Sequence, residues 1–115
     1  MIKESYFVHY YDNSVMKKVK KIIKKNNLQR EFDIATNNLK RNPEYGNKIQ
    51  KRLWPEKYKK NKSIDNLWRY ELSRKSPGWR MIYTIVRKGT KKEIKILSVL
   101  LDVLNHHKYD RLFHY

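Results

Sequence analysis

The apolar residues of this chain repeat at two different periods, and the change between them restricts the fold more than any other feature. Val15, Val19, Ile22 and Ile23 recur at helical spacing, and Lys17, Lys18, Lys20, Lys21, Lys24 and Lys25 fill the other face. Leu28, Phe32, Ala35 and Leu39 keep that period until Pro43. From Leu67 onward the period drops to two. Trp68, Tyr70 and Leu72 alternate with Arg69 and Glu71, and Met81, Tyr83 and Ile85 share a face of the next segment. Two short-linked helices need a surface on which to bury their stripes, and a small sheet supplies it. The expectation is an α+β fold, with an N-terminal helical hairpin packed on a small, mainly antiparallel twisted sheet.

Local signals place the boundaries. Residues 5–11 alternate aromatic and β-branched side chains and predict a short strand ahead of the hairpin. Asp12, Asn13 and Ser14 offer N-caps for the first helix, and Asn26-Asn27 breaks it, since Asn tolerates the left-handed cap conformation. Turns over 73–78 and 87–92 separate strands at 67–72, 79–86 and 94–101. The last run also fits a helical stripe through Ile94, Leu97, Leu101 and Leu104, but its β-branched content and the turn before it favour a strand. Residues 43–66 carry Tyr45, Ile49, Leu53, Trp54 and Tyr58 among many Lys and Asn. They read as a long connection, partly helical or mobile, pinned by its aromatics. Residues 106–115 read as a tail or a short helical turn. With 115 residues the chain suits one domain, 1–115.

Charge narrows the partners. Lys and Arg total 28 against 11 Asp and Glu, a formal net charge of +17. Such an excess repels itself in a compact body and is relieved beside a polyanion, so nucleic acid is the first expectation. The basic faces offer Lys17, Lys20, Lys21, Lys24, Arg74, Lys75, His106 and Lys108 as RNA-binding candidates. An anionic membrane surface and an acidic protein are the other readings of the same excess. The Lys-rich helical face also reads simply as a solvated face. The absence of Cys excludes disulfides, thiolate zinc sites and cysteine nucleophiles. The start of the chain, MIKESYFVHYY, has no long apolar stretch, and Ile94 to Leu104 is interrupted by Lys95, Ser98 and Asp102. The expected protein is therefore soluble and cytoplasmic, with no membrane partner.

The segment Leu67-Trp-Arg-Tyr-Glu-Leu72, a turn, then Gly78-Trp-Arg-Met-Ile-Tyr83 resembles the sheet core of RelE/ParE-superfamily toxins. Asn42 to Ile49 is similar to the loop that follows the helical hairpin in that family, and Leu97 to Tyr109 to its last strand and basic end. The resemblance implies a small toxin neutralised by a cognate antitoxin. A RelE-like member would be an endoribonuclease cutting mRNA on the ribosome, with mRNA and ribosomal RNA as partners. A ParE-like member would inhibit DNA gyrase instead. Residue by residue, the resemblance assigns phosphate contact to Arg80 and a basic strand position to Arg69. Glu71 stands where the pattern has a second basic residue. The terminal aromatic falls on Tyr109, with Phe113 and Tyr115 as competitors, and the basic residue before it on His107 or Lys108, beside His106.

Chemistry gives the same residues a rationale. Metal-free RNA cleavage needs a base for the 2′-hydroxyl, cations for the charge on phosphorus, an acid for the 5′-oxygen and an in-line substrate. Guanidinium forks at Arg80 and Arg69 fit phosphate, provided strand register puts them on one side. His106 and His107 carry imidazoles, the side chain suited to moving protons, and Tyr109 offers a stacking surface. The catalytic candidates are Arg80, His107, Arg69 and Tyr109. Bland readings stand beside them: Arg80 as a solvated strand residue, the histidines as a polar tail, Tyr109 as a core anchor. No metal site and no cofactor is expected, because the carboxylates are scattered and no Gly-rich phosphate loop exists. The antitoxin is expected to bring an acidic amphipathic segment to offset +17. The rival class is a non-catalytic protein, either a gyrase inhibitor or a basic nucleic-acid-binding module.

Overall fold

The computed structural model describes residues 2–75 and 78–113. The chain opens with strand β1 (Lys3–Tyr10) and continues through helices α1 (Asn13–Lys25) and α2 (Gln29–Arg41). A connection follows, with a two-residue strand β2 (Asn47–Lys48) and one helical turn, α3 (Glu56–Lys59). Strands β3 (Trp68–Ser73), β4 (Trp79–Gly89) and β5 (Glu93–Asn105) lead into helix α4 (His106–Phe113). The sheet order is β1-β5-β4-β3-β2. Among the described residues, β1 and β5 pair in parallel, and the β5–β4, β4–β3 and β3–β2 pairs are antiparallel. The sheet is thus mixed, and β1, on the segment expected to form a strand ahead of the hairpin, leads the chain. Among the described residues, no helix is long and apolar enough to cross a membrane.

The hairpin forms where the helical period predicts it. Of the three cap candidates Asp12 is used, its carboxylate accepting from the Val15 amide at 2.8 Å. Asn27 takes the left-handed conformation (φ 55°) that ends α1. Val19 and Ile23 from α1, and Ala35 and Leu39 from α2, bury against Tyr70, Met81, Tyr83, Leu100 and Val103.

The opposite face of the sheet is covered as well. Ile49, Trp54, Tyr58 and Ile64 from the connection, with Tyr109 and Phe113 from α4, pack on Leu67, Ile82, Leu101 and Leu104. The connection is partly helical and pinned by Trp54 and Tyr58, as expected, and it goes further in supplying one side of a second core. Its apolar residues follow neither period, because single residues insert from short irregular turns. At its start, Gly46 lies under the sheet. A Cβ there would come within 2.4 Å of the Arg69 carbonyl oxygen and 2.7 Å of the Tyr83 hydroxyl. That hydroxyl accepts from the Gly46 amide at 3.1 Å and donates to the Pro43 carbonyl at 2.7 Å. Only glycine leaves room for this bolt between connection and sheet.

The 94–101 run is strand, as its β-branched content predicts, but β5 is 13 residues long and buried on both faces. A register shift opposite Ile82 and Tyr83 places the buried Asp102 past the end of β1. There Lys18 reaches it from α1 at 3.2 Å and Lys57 from α3 at 3.9 Å. The turn expected over 73–78 includes Ser76 and Pro77, which lie outside the described residues.

Burial pushes the Tyr58 and Tyr83 phenols above the ordinary value of 10. The unfolded chain releases these protons near pH 10 while the folded chain retains them. Stability should therefore decline as pH rises through about 10 and beyond. Urea unfolding followed by circular dichroism on either side of that pH checks this, and Tyr58→Phe should make the decline shallower.

Candidate active site

Strand register decides which charged residues meet. Arg69 on β3 lies opposite Ile82, and Glu71 opposite Arg80 on β4, so all four point to the face that α4 covers. Arg80 in turn pairs with Leu104, and Trp79 with Asn105, at the end of β5. Asn105, the last residue of β5, caps α4, its side-chain oxygen accepting from the Lys108 amide at 2.8 Å. The His106 amide donates to the Gly78 carbonyl at 2.8 Å, tying the first turn of α4 to the start of β4.

This arrangement sets a histidine, an arginine and a carboxylate around one point. The Arg80 guanidinium lies 3.2 Å from Nδ1 of His106 and 4.0 Å from the Asp110 carboxylate. His106 Nε2 is 3.0 Å from the same carboxylate, four residues along the helix. The guanidinium sits over the Tyr109 ring at 4.5 Å, while Arg69 donates to the Tyr109 hydroxyl at 3.0 Å. Beside them an open cleft of about 480 Å³ is lined by Glu71, Ser73, Arg74, Trp79, Arg80, His106 and His107, among others. Its positive charge comes from the two arginines and from the N-terminal end of α4, whose dipole favours an anion. Glu71 offsets part of it and holds Arg74 at 3.0 Å. Among the described residues, no three His, Cys, Asp or Glu side chains are placed to hold a metal ion.

The sequence-derived candidates divide into groups. Arg80, Arg69, His106, His107, Tyr109 and Arg74 come together at this end of the sheet, and Lys75 is exposed in the adjoining turn. Of the two histidines it is His106, not His107, that contacts Arg80; His107 lines the cleft beside it, ring to ring at 5.9 Å. Tyr109 is a core residue rather than a free stacking surface. It is 1% exposed and stacks on Phe113 at 4.4 Å between centroids. Two turns of helix, instead of a loose tail, pull both rings into the second core. Tyr115 lies outside the described residues. Lys17, Lys20, Lys21 and Lys24 are exposed on α1, in the layer on the other side of the sheet. Lys108 is exposed on α4 and lines a separate groove with Lys18, Lys57 and Arg111.

Trp79 packs in part on the first core, as a large strand aromatic is expected to, and its half-buried side chain also lines the cleft. One residue beside the cleft, Asp110, escapes a reading of the sequence. Asp110 reads only as metal-ligand spacing to His106; the same i,i+4 interval equally signals a carboxylate–imidazole pair. Comparison with known proteins finds no matching family model, no matching curated protein and no matching solved structure.

Proposed function

We propose that this protein is a RelE-like toxin of a toxin–antitoxin pair, a cytoplasmic, metal-independent endoribonuclease that cuts ribosome-bound mRNA and stops translation. One observation carries the reading: a strand arginine and a helix-borne histidine, 3.2 Å apart, share the wall of an open basic cleft. Arg80 takes the scissile phosphate, with Arg74 and Lys75 at the rim, and its charge does not titrate as the phosphorane forms. His106 removes the 2′-hydroxyl proton. The 2′-oxygen bonds to phosphorus, the bond to the 5′-oxygen breaks, and that oxygen takes a proton from the His107 imidazolium. The products are a 2′,3′-cyclic phosphate and a 5′-hydroxyl. Trp79 offers the base a stacking surface in place of the buried Tyr109. Arg69 acts through Tyr109, holding the floor beneath Arg80. The cognate antitoxin brings an acidic amphipathic segment.

The test is cleavage of mRNA on programmed ribosomes in the presence of a chelator, with 5′ ends mapped by primer extension. His106→Ala and His107→Ala should each slow cleavage by roughly 10²-fold or more. Intact mRNA in the wild-type reaction overturns the proposal.

Glu71 favours a second reading, since it sets a carboxylate opposite Arg80 in the cleft. That reading is a non-catalytic toxin-fold protein, either a gyrase inhibitor or a basic nucleic-acid-binding module. Intact mRNA with blocked supercoiling identifies the first, and intact mRNA with salt-steep binding and no growth arrest the second.

The α1 lysines serve as a docking face for ribosomal RNA. Changing Lys17, Lys20, Lys21 and Lys24 to Gln should reduce the slope of log affinity against log salt by up to about 3. Fluorescence anisotropy with a labelled RNA across a salt series measures it.

A further inference from the structure

The geometry points to Arg80 as a phosphate-operated cover on the His106 base, with Asp110 as the positioning residue that keeps the imidazole in the tautomer on which the cover acts; this rests on the ribonuclease reading above.

A guanidinium has only donors, so the ring nitrogen 3.2 Å from Arg80 Nη1 must be an acceptor. A carboxylate has only acceptors, so the ring nitrogen 3.0 Å from Asp110 Oδ2 must carry a proton. The two contacts together define one neutral tautomer, with hydrogen on Nε2 and the lone pair on Nδ1. In the free protein that lone pair, the only basic one on the ring, already accepts from Arg80. A base in this state takes no proton from a substrate.

Phosphate changes the balance. A guanidinium gains two parallel charge-assisted bonds from a phosphate, against one bond to a neutral nitrogen and a 4.0 Å ion pair with Asp110. Arg80 has room to make the exchange. Its side chain is 21% exposed at the cleft wall, and its guanidinium rests on the Tyr109 ring, a contact that holds the charge without fixing which way its donors point. Once the fork turns to the phosphate, Nδ1 faces the cleft next to the bound nucleotide. Asp110 still accepts from Nε2 and steadies the imidazolium that forms when the 2′-hydroxyl proton arrives on Nδ1. The charged groups around the ring are Arg80 from β4, Glu71 from β3, Arg74 from the turn, and Asp110 and His107 from α4. The base is thus exposed only when a phosphodiester occupies the site.

The test uses the full chain with ¹⁵N-labelled histidine and a 2′-O-methyl RNA oligonucleotide, which binds but lacks the nucleophile. Long-range ¹H–¹⁵N spectra at neutral pH should show His106 with hydrogen on Nε2. The oligonucleotide should move the Nδ1 signal, at an ionic strength where added chloride does not. Arg80→Gln should abolish that movement. Asp110→Ala should mix the two tautomers and lower kcat roughly 10-fold with little change in KM. Hydrogen on Nδ1 in the free protein, or a Nδ1 signal unmoved by excess oligonucleotide, overturns the inference. If the signal moves as expected while programmed ribosomes keep their mRNA intact, the cover stands and the ribonuclease reading falls. If mRNA is cut while Nδ1 is unmoved, the cover falls and the ribonuclease stands.

Discussion

Changing Arg80 to alanine is expected to abolish growth arrest and to slow mRNA cleavage by roughly 10²–10³-fold, the usual loss when one donor to a developing oxyanion is removed. The fold should survive. Arg80 stands partly exposed at the cleft wall, where it meets His106 and Asp110 and makes a cation–π contact with the Tyr109 ring. Losing that cation–π contact costs about 1 kcal/mol, against a total stability of roughly 5–15 kcal/mol for a domain of this size. Arg80→Lys should recover only part of the rate, because an ammonium is a point charge and cannot grip two phosphate oxygens in parallel. Cleavage on programmed ribosomes, together with the thermal midpoint of each variant, separates chemistry from folding. An alanine variant that cuts at the wild-type rate removes Arg80 from the mechanism.

Tyr109→Ala should have the largest effect on stability. The ring is 1% exposed, stacks on Phe113, and fills the second core beneath both arginines. Truncating a buried aromatic typically destabilises by about 3–5 kcal/mol, which in a domain of this length corresponds to a drop of roughly 10–20 °C in Tm. The variant should also lose cleavage, since α4 would no longer hold His106 and Asp110 against Arg80. Tyr109→Phe keeps the ring and forfeits the hydroxyl that accepts from Arg69 at 3.0 Å, a loss of about 1 kcal/mol. Urea unfolding of the two variants separates ring from hydroxyl. Near-wild-type stability in the alanine variant would show that α4 is not anchored by this residue.

The first half of the chain and its strands are legible because their signals are local. A stripe such as Val15, Val19, Ile22 and Ile23 exists only on a helix, and Trp68, Tyr70 and Leu72 share a face only on a strand. Asp12 caps and Asn27 ends α1 for reasons contained within a few residues. The connection is not legible in this way. Ile49, Trp54, Tyr58 and Ile64 obey no period, and their burial depends on a sheet face formed by residues as distant as Leu104. Tyr109 shows the same limit from the other side. Its residue type suits both a stacking platform and a core anchor, and two turns of α4 decide for the core.

Sequence alone determined the α+β layering, the excess of positive charge and the list of groups able to meet a phosphate, because periodicity, composition and side-chain chemistry are properties of the chain itself. Tertiary structure decided which of those groups meet. The β3–β4 register put Arg69 and Arg80 on one face, the parallel β1–β5 pair left Asp102 beyond the end of β1, and the start of α4 chose His106 over His107. Register and helix phase are settled by long-range packing: a one-residue slip of a strand would turn its side chains to the opposite side of the sheet, and a one-residue shift of a helix would rotate its side chains by about 100° about the helix axis.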